Sequence, residues 1–321
     1  MIFEVISRKI SSQNMSSQLF PFLFLLLTTS VSSAQNLPKV TSGRIDRIEN
    51  FASKYVEPRN IDVWLPVSYD GKKKFSVLYM HDGQMLFDSS TTWNHQSWDV
   101  DDVATQLLET GQVQDFIVVG IWNAGERRHA NYFPQKPFDR LDPVKKDTVI
   151  GQLQRAGRTK AVFQPNSDDY LKFLVLELKP FIDKKYKVRT GRSHTFIAGS
   201  SMGGLISMYA ICEYPSVFGG AACLSTHWPG TFTLDNNPMP DAFLQYLERS
   251  LPSPRKHKIY FDCGDQTLDA LYPAIQQRVD TLMEAKGFST KNWKTAYFKG
   301  KDHSEAAWHE RLDVPFRFLL K

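Results

Sequence analysis

The stretch Phe196-Ile197-Ala198-Gly199-Ser200-Ser201-Met202-Gly203-Gly204 constrains this 321-residue chain more than any other. An apolar run ends in glycine, serine and glycine, and a second apolar run follows from Leu205 to Cys212. That pattern predicts a short strand over Thr195 to Ala198, a sharp turn, and a helix opening near Leu205. Ser201 lies at the tip of the turn, with Gly199 and Gly203 two residues to either side. A serine held on a strained strand-to-helix bend requires small neighbours at those positions, because side chains there would collide. Gly204 then lets the helix approach the sheet. The competing reading makes Ser201 a simple helix N-cap in a glycine-rich turn. The flanking strand and helix favour the first.

The rest of the chain repeats the same alternation. Strands are expected from Arg44 to Val56, Ile61 to Val67, Phe75 to Met80, Phe116 to Ile121, Gly220 to Leu224, Lys258 to Asp262 and Trp293 to Phe298. Helices are expected from Val100 to Leu108, Tyr170 to Tyr186, Ala242 to Leu251, Leu268 to Ala285 and Ala306 to Leu320. Apolar runs bounded by turns and alternating with helices imply a mostly parallel central sheet flanked by helices on both faces. One segment breaks the rhythm. Residues 123–168 are polar and rich in Arg, Lys, Asp and Pro, and are read as an insertion or lid over the C-terminal edge of the sheet, where open α/β sheets place their sites. Residues 35–321 otherwise read as a single domain.

Composition narrows the class. Apolar residues make up 42% of the chain, enough for a large core, and aromatic residues reach 13%. The net charge of +5 is not the footprint of a nucleic-acid binder. Cys212, Cys223 and Cys263 are too few for a disulfide framework and match no zinc spacing, so they are read as small buried apolar residues. The N-terminus reads as an address. Arg8 and Lys9 precede an unbroken apolar run from Leu19 to Leu27, and Ser32-Ser33-Ala34 places small residues before Gln35. Residues 1–34 are therefore expected to be a signal peptide, cleaved at Ala34–Gln35, directing the protein to the periplasm or outside the cell. Met15 is an alternative start. The run is shorter than the ~20 residues a membrane-crossing helix needs, so no membrane anchor is expected.

A serine hydroxyl is a weak nucleophile and needs a base. In sheets of this kind the chain order is serine, acid, histidine. His303 follows the last strand and precedes the last helix, where a loop can carry an imidazole over Ser201. His227, after the Gly220 to Leu224 strand, is the second candidate, and His81 is assigned to shaping the loop after Met80. The acid belongs after the Lys258 to Asp262 strand. Asp269 is preferred and Asp265 is the alternative, with Asp262 assigned a structural place on the strand. An oxyanion hole needs backbone N–H donors, expected from Met202 and Gln84. No H-E-x-x-H pattern, ligand cluster or phosphate loop is present, so neither a metal nor another cofactor is expected.

The segments His81-Asp82-Gly83-Gln84, Ala198 to Gly204, Gly264 to Asp269 and Asp302-His303-Ser304 resemble the Putative esterase family of α/β hydrolases. That group includes esterase D, enterochelin esterase-like proteins, and the feruloyl and acetylxylan esterases of carbohydrate esterase family 1. The resemblance covers Arg44 to Leu320. It implies an α/β-hydrolase fold and acyl transfer in which Ser201 attacks, His303 shuttles the proton and Asp269 orients the imidazole. Gln266 and Thr267 separate the acid from Gly264 more widely than in many relatives. For the substrate, a small-molecule or oligosaccharide ester, Trp122, Tyr132 and Trp228 are expected on loops near the site, free to stack on a sugar or an aromatic acyl group. Arg127, Arg128, His129, Lys136 and Arg140 offer a second reading, an anionic siderophore ester. An acyltransferase of the same fold and a non-catalytic carbohydrate-binding module complete the alternatives.

Overall fold

The computed structural model describes residues 36–160 and 163–321. The expected signal segment, with its Leu19 to Leu27 run and the Ala34–Gln35 junction, lies outside the described residues. Eight strands form one sheet: β1 (Arg44–Phe51), β2 (Arg59–Leu65), β3 (Ser76–His81), β4 (Phe116–Ile121), β5 (Thr195–Ser200), β6 (Gly220–Leu224), β7 (Lys258–Cys263) and β8 (Trp293–Tyr297). Their order is β1-β2-β4-β3-β5-β6-β7-β8. β1 and β2 are antiparallel, as are β2 and β4. Every pair from β4 through β8 is parallel.

Residues that alternate along each strand feed two separate cores. Val77, Tyr79, Ile117, Val119 and Ile197 join the helices Ser167–Lys172, Met202–Glu213, Met239–Ser250 and Pro273–Ala285 on one face. Leu78, Met80, Val118, Phe196 and Ala198 join the helices Val100–Glu109 and Asp313–Leu319 on the other. Burial on both faces is why β3, β4 and β5 read as continuous apolar runs, each buried along its whole length. The edge strand β1 carries Arg44, Asp46, Arg47 and Glu49, charges that discourage pairing with another chain. No helix among the described residues is long and apolar enough to cross a membrane.

Prolines reshape several expected elements. The Tyr170 to Tyr186 helix begins earlier, at Ser167, and loosens to a π-helical stretch over Phe173–Leu178 before continuing as Lys179–Lys185. Pro180 cannot donate to a carbonyl one turn back, and the wider turn just before it accommodates the lost bond. The closing helix divides into Glu305–His309 and Asp313–Leu319. Pro315 falls in the first turn of the second piece, where its missing N–H is harmless. The expected Leu268 to Ala285 helix is a 3₁₀ turn at Thr267–Leu271 followed by a helix opening on Pro273. β1 stops at Phe51 rather than Val56, after an irregularity around Asn50, whose φ is 47°.

Residues 123–168 are more ordered than a polar excursion. They contain the helices Arg128–Tyr132, Gln135–Asp139 and Pro143–Arg155. They also bury Tyr132, Phe133, Phe138, Val149, Leu153 and Phe163. The segment meets the loop after β3 through Arg128, which grips Asp82 with two hydrogen bonds of 2.7 Å.

Candidate active site

Because β3 to β8 run parallel, the loops leaving their C-terminal ends collect along one edge of the sheet. Ser201 follows β5 directly. Its backbone has φ 57° and ψ −123°, a sparsely populated conformation that needs support from its surroundings. The support is visible. The Ser201 amide donates to Leu224 O at 3.0 Å, and its carbonyl accepts from His227 N at 3.1 Å and from Leu205 N at 3.0 Å. A Cβ on Gly199 would fall 2.7 Å from the Gly203 carbonyl carbon, and one on Gly204 would fall 2.9 Å from Leu224 O. These close approaches account for the glycines on either side of the bend.

His303 sits on the loop after β8. Its Nδ1 lies 2.5 Å from Asp269 Oδ1. Its ring packs edge-on against Trp308 at 5.0 Å and Tyr272 at 5.8 Å. The His303 amide donates to Thr267 Oγ1 at 3.0 Å, pinning the loop close to the acid. Asp269 is fully buried. Its other oxygen accepts from Ser225 Oγ and from Gly264 N, both at 2.6 Å.

Ser225 is in turn the acceptor for Trp308 Nε1 at 3.0 Å and an Arg311 guanidinium nitrogen at 2.9 Å. Arg311 also meets Asp262 Oδ1 at 3.0 Å. Burial raises the Asp262 carboxyl above the usual range, while Arg311 pulls it back down. Asp262 is thus committed to this interior network, with Tyr260 and the Ser225 amide as further donors. Asp265, the alternative acid, accepts from Gly300 N at 2.7 Å and Gln266 Nε2 at 2.9 Å, and these bonds hold its carboxyl below the ordinary range.

The second histidine candidate is placed differently. His227 is buried with its Nδ1 2.8 Å from the Tyr272 hydroxyl, and burial holds its pKa well below that of an exposed imidazole. His81 is also buried, against Tyr170 OH at 2.8 Å, and burial pushes its pKa down to about 3.

Asp82 adopts φ 56° and starts the 3₁₀ turn Gly83–Met85, so the Gln84 amide falls in a first turn, where N–H groups lack a partner within the helix. Met202, the first residue of its helix, likewise lies in a first turn. The turn is held from outside. Asn123 Nδ2 and Arg128 both bond the Asp82 carboxylate, and Gln84 Oε1 accepts from Asn123 N at 3.1 Å. Arg128 overcomes the effect of burial and keeps Asp82 below its usual pKa.

The aromatic residues expected on open loops are corrected by their surroundings. Tyr132 belongs to a short helix, is fully buried, and packs against both His81 and Tyr170. Trp228 is 1% exposed, bonds Gln276 and packs on Phe261. Neither ring has a free face. Trp122 is half-buried, donates to Asp62 and lies under the Arg47 guanidinium. The charges expected to meet an anion are partly committed as well: Arg127 pairs with Glu57, Arg128 with Asp82 and Lys136 with Glu213, while His129 is buried.

Ser225, Thr267 and Tyr272, after β6 and β7, and Trp308 and Arg311, in and just after the Glu305–His309 helix, complete the surroundings of Asp269 and His303 without any sequence signal of their own. The three cysteines are buried and unpaired, and burial raises the thiol of each. Among the described residues no group of three His, Cys, Asp or Glu side chains is arranged to hold a metal ion.

Comparison with known proteins shows the family and the fold. A family model described as Esterase: Putative esterase matches residues 53–321. An endo-1,4-beta-xylanase/feruloyl esterase of Xylanibacter ruminicola is 22% identical over 294 residues, covering 88% of this chain and 32% of that protein. A siderophore enterobactin esterase of Emericella nidulans is 26% identical over 172 residues, 52% of each. The chain therefore spans about half or less of the length of these two relatives. Among solved structures, a CE1 ferulic acid esterase of Anaeromyces mucronatus in complex with ferulic acid aligns at TM-score 0.59 and 18% identity, covering 89% of this chain and 95% of that one. With a mostly parallel eight-stranded sheet, a strained Ser201 after its fifth strand and a family match over most of its length, the chain belongs to the Putative esterase family and has the α/β-hydrolase fold.

Proposed function

We propose that the protein is a serine-dependent carboxylic ester hydrolase in which Ser201 is the nucleophile, His303 the general base and Asp269 the acid that orients it. The observation that carries this reading is the His303–Asp269 hydrogen bond of 2.5 Å, on loops at the same sheet edge as the strained Ser201 turn. Ser201 Oγ attacks the ester carbonyl carbon while its proton passes to His303. The tetrahedral oxyanion is met by the Met202 and Gln84 amides. Collapse breaks the bond to the alcohol, which leaves with the proton from His303. Water then repeats the sequence on the acyl-enzyme and releases the acid.

The substrate class proposed is an acyl or feruloyl ester of a carbohydrate, supported by the feruloyl esterase activity named for one relative. The enterobactin esterase relative supports a siderophore ester as the second reading. Export is part of the same proposal and rests on the sequence pattern around Ala34–Gln35.

The test is a hydrolysis panel of methyl ferulate, acetylated xylo-oligosaccharides and a catecholate siderophore ester, run with wild type and Ser201→Ala. Wild type is expected to turn over the feruloyl or acetyl ester. S201A is expected to lose at least ~10⁴-fold in kcat with an unchanged melting temperature, because the Ser201 contacts to Leu224, Leu205 and His227 are all backbone. A wild type inactive on every ester, or an S201A variant with full activity, overturns the reading. Sequencing the N-terminus of protein recovered outside the cytoplasm tests export.

A further inference from the structure

Among the described residues Trp93 is the most exposed large apolar side chain, at 83%. The other six tryptophans of the chain are buried or half-buried. An indole left in water gives up the burial that stabilises those six. The loop that presents it, between β3 and the Val100–Glu109 helix, leaves the C-terminal end of β3 next to the strand that carries Ser201. That loop is firmly held. Thr92 Oγ1 donates to Ser89 O at 3.0 Å, Asn94 Nδ2 donates to Glu305 Oε2 at 2.8 Å, and Gln96 Oε1 accepts from Ala306 N at 3.3 Å. Trp98 then packs on Trp308 at 5.3 Å, the same ring that His303 rests against. Trp93 is thus one residue from a contact with Glu305, which is itself two residues beyond His303. The exposed residues on either side of Trp93 along the loop are Ser90, Thr91 and His95, all polar.

We propose that Trp93 is a stacking platform for a pyranose ring in the alcohol portion of the substrate. The proposal rests on the reading of the protein as a serine hydrolase of carbohydrate esters and adds a subsite to it. In that mechanism His303 gives its proton to the departing alcohol, so the alcohol lies on the His303 side of Ser201. A sugar chain continuing from that oxygen meets the loop bonded to Glu305 and Ala306. A pyranose presents a face of C–H groups that lies flat on an indole, while its hydroxyls turn outward to polar neighbours and water. A single rigid ring on a polar loop matches that ligand. A protein partner needs a contiguous patch with several buried anchors, which this loop does not offer. The bonds of Asn94 and Gln96 hold the platform in place before the sugar arrives, so little freedom is lost on docking.

The test keeps the acyl group and changes only the alcohol. The ratio of kcat/KM for an acetylated xylo-oligosaccharide to that for p-nitrophenyl acetate is expected to fall about tenfold in Trp93→Ala, the scale of one stacked ring. Trp93→Phe, which keeps a flat ring, is expected to restore most of it. The melting temperature of both variants should stay within a few degrees of wild type, because the side chain is exposed. A second arm needs no turnover. Xylotetraose titrated by calorimetry into S201A is expected to bind, and to lose about tenfold in affinity when W93A is added to the same protein. An unchanged ratio in W93A overturns the proposal, as does xylotetraose binding that is absent or that W93A leaves unaltered. So does a wild-type dimer that W93A dissolves, which makes Trp93 a contact between copies. A wild type inactive on both esters removes the ester-hydrolase reading instead, and the xylotetraose titration then still decides the part of Trp93.

Discussion

Asp269 and Ser225 share a 2.6 Å hydrogen bond that links the loop after β7 to the loop after β6. Ser225 is both donor and acceptor here: it gives its proton to the carboxylate and receives those of Trp308 and Arg311. The acid that contacts His303 is thereby tied to the C-terminal helices. A carboxylate buried this deeply requires such partners, because an unsatisfied one is costly.

On the proposed mechanism, replacing Asp269 with Asn removes the charge that orients the His303 imidazole while keeping the shape. A loss in kcat of about 10³- to 10⁴-fold is then expected, by analogy with established serine triads. Asp265→Asn should stay within a few-fold of wild type, since its contacts are to Gly300 and Gln266. Steady-state kinetics on both variants separates them, and a severe loss confined to D265N exchanges their roles.

Ser225→Ala leaves Trp308 Nε1 and the Arg311 guanidinium without their shared acceptor and takes one donor from Asp269. Destabilisation of about 1–3 kcal/mol is expected for polar groups stranded in the interior. Activity should fall about tenfold as the carboxylate loosens. Urea unfolding and kcat, measured on the same preparation, check both halves. A variant as stable as wild type contradicts the network.

Gly264 presses against the loop that carries His303. A Cβ there would lie 2.0 Å from Lys301 O, the acceptor for the amides of Asp265 and Gln266. Gly264→Ala must drive the two loops apart and lengthen the His303–Asp269 contact. Misplacement of about 1 Å costs about 10²-fold in rate, so kcat should fall by at least that much, beyond what a modest drop in melting temperature explains. Near-normal kcat in G264A shows that the loops yield without moving the imidazole.

Buried histidines make the fold sensitive to acid. Burial holds His81 and His129 at pKa values of about 3, against about 6.5 in an unfolded chain. Above pH 6.5 both states are neutral and the contribution is complete. As pH falls from 6.5 toward 3 the unfolded chain takes up protons that the folded one refuses. Stability should decline by about 1.4 kcal/mol per pH unit for each such ring. His129→Phe, placed among Phe133, Phe163 and Phe232, should flatten the decline by about one proton. Urea midpoints between pH 7 and 4 provide the comparison, and parallel curves for the two proteins refute the assignment.

The central strands and the Ser201 turn were legible because burial on both faces writes continuous apolar runs, and a crowded bend leaves glycines behind. His303 and Asp269 were legible as candidates from their places after the last two strands. Ser225, Tyr272 and Arg311 were not. Their parts depend on three loops and a helix meeting at one edge, and nothing in a lone serine, tyrosine or arginine announces that. Tyr132 and Trp228 misled for the opposite reason: a flat apolar ring reads the same whether it faces a substrate or a core. The helices within 123–168 were hidden because they are short and their apolar residues follow no single period. Pro180 and Pro315 were visible, but how each helix would absorb them was not.

The interlock among the loops after β6, β7 and β8 divides the rim of the sheet into two unequal halves. On one half, Ser225, Gly264, Asp269 and His303 hold one another so closely that a change at any of them disturbs the rest. On the other half, the stretch between β4 and Ser167 bonds the Asp82 carboxylate through Asn123 and Arg128 and reaches the loop after β6 through the Gln152–Thr231 hydrogen bond. A substitution within residues 123–168 that leaves Asn123, Arg128 and Gln152 in place is therefore expected to leave the contacts among Ser225, Gly264, Asp269 and His303 intact.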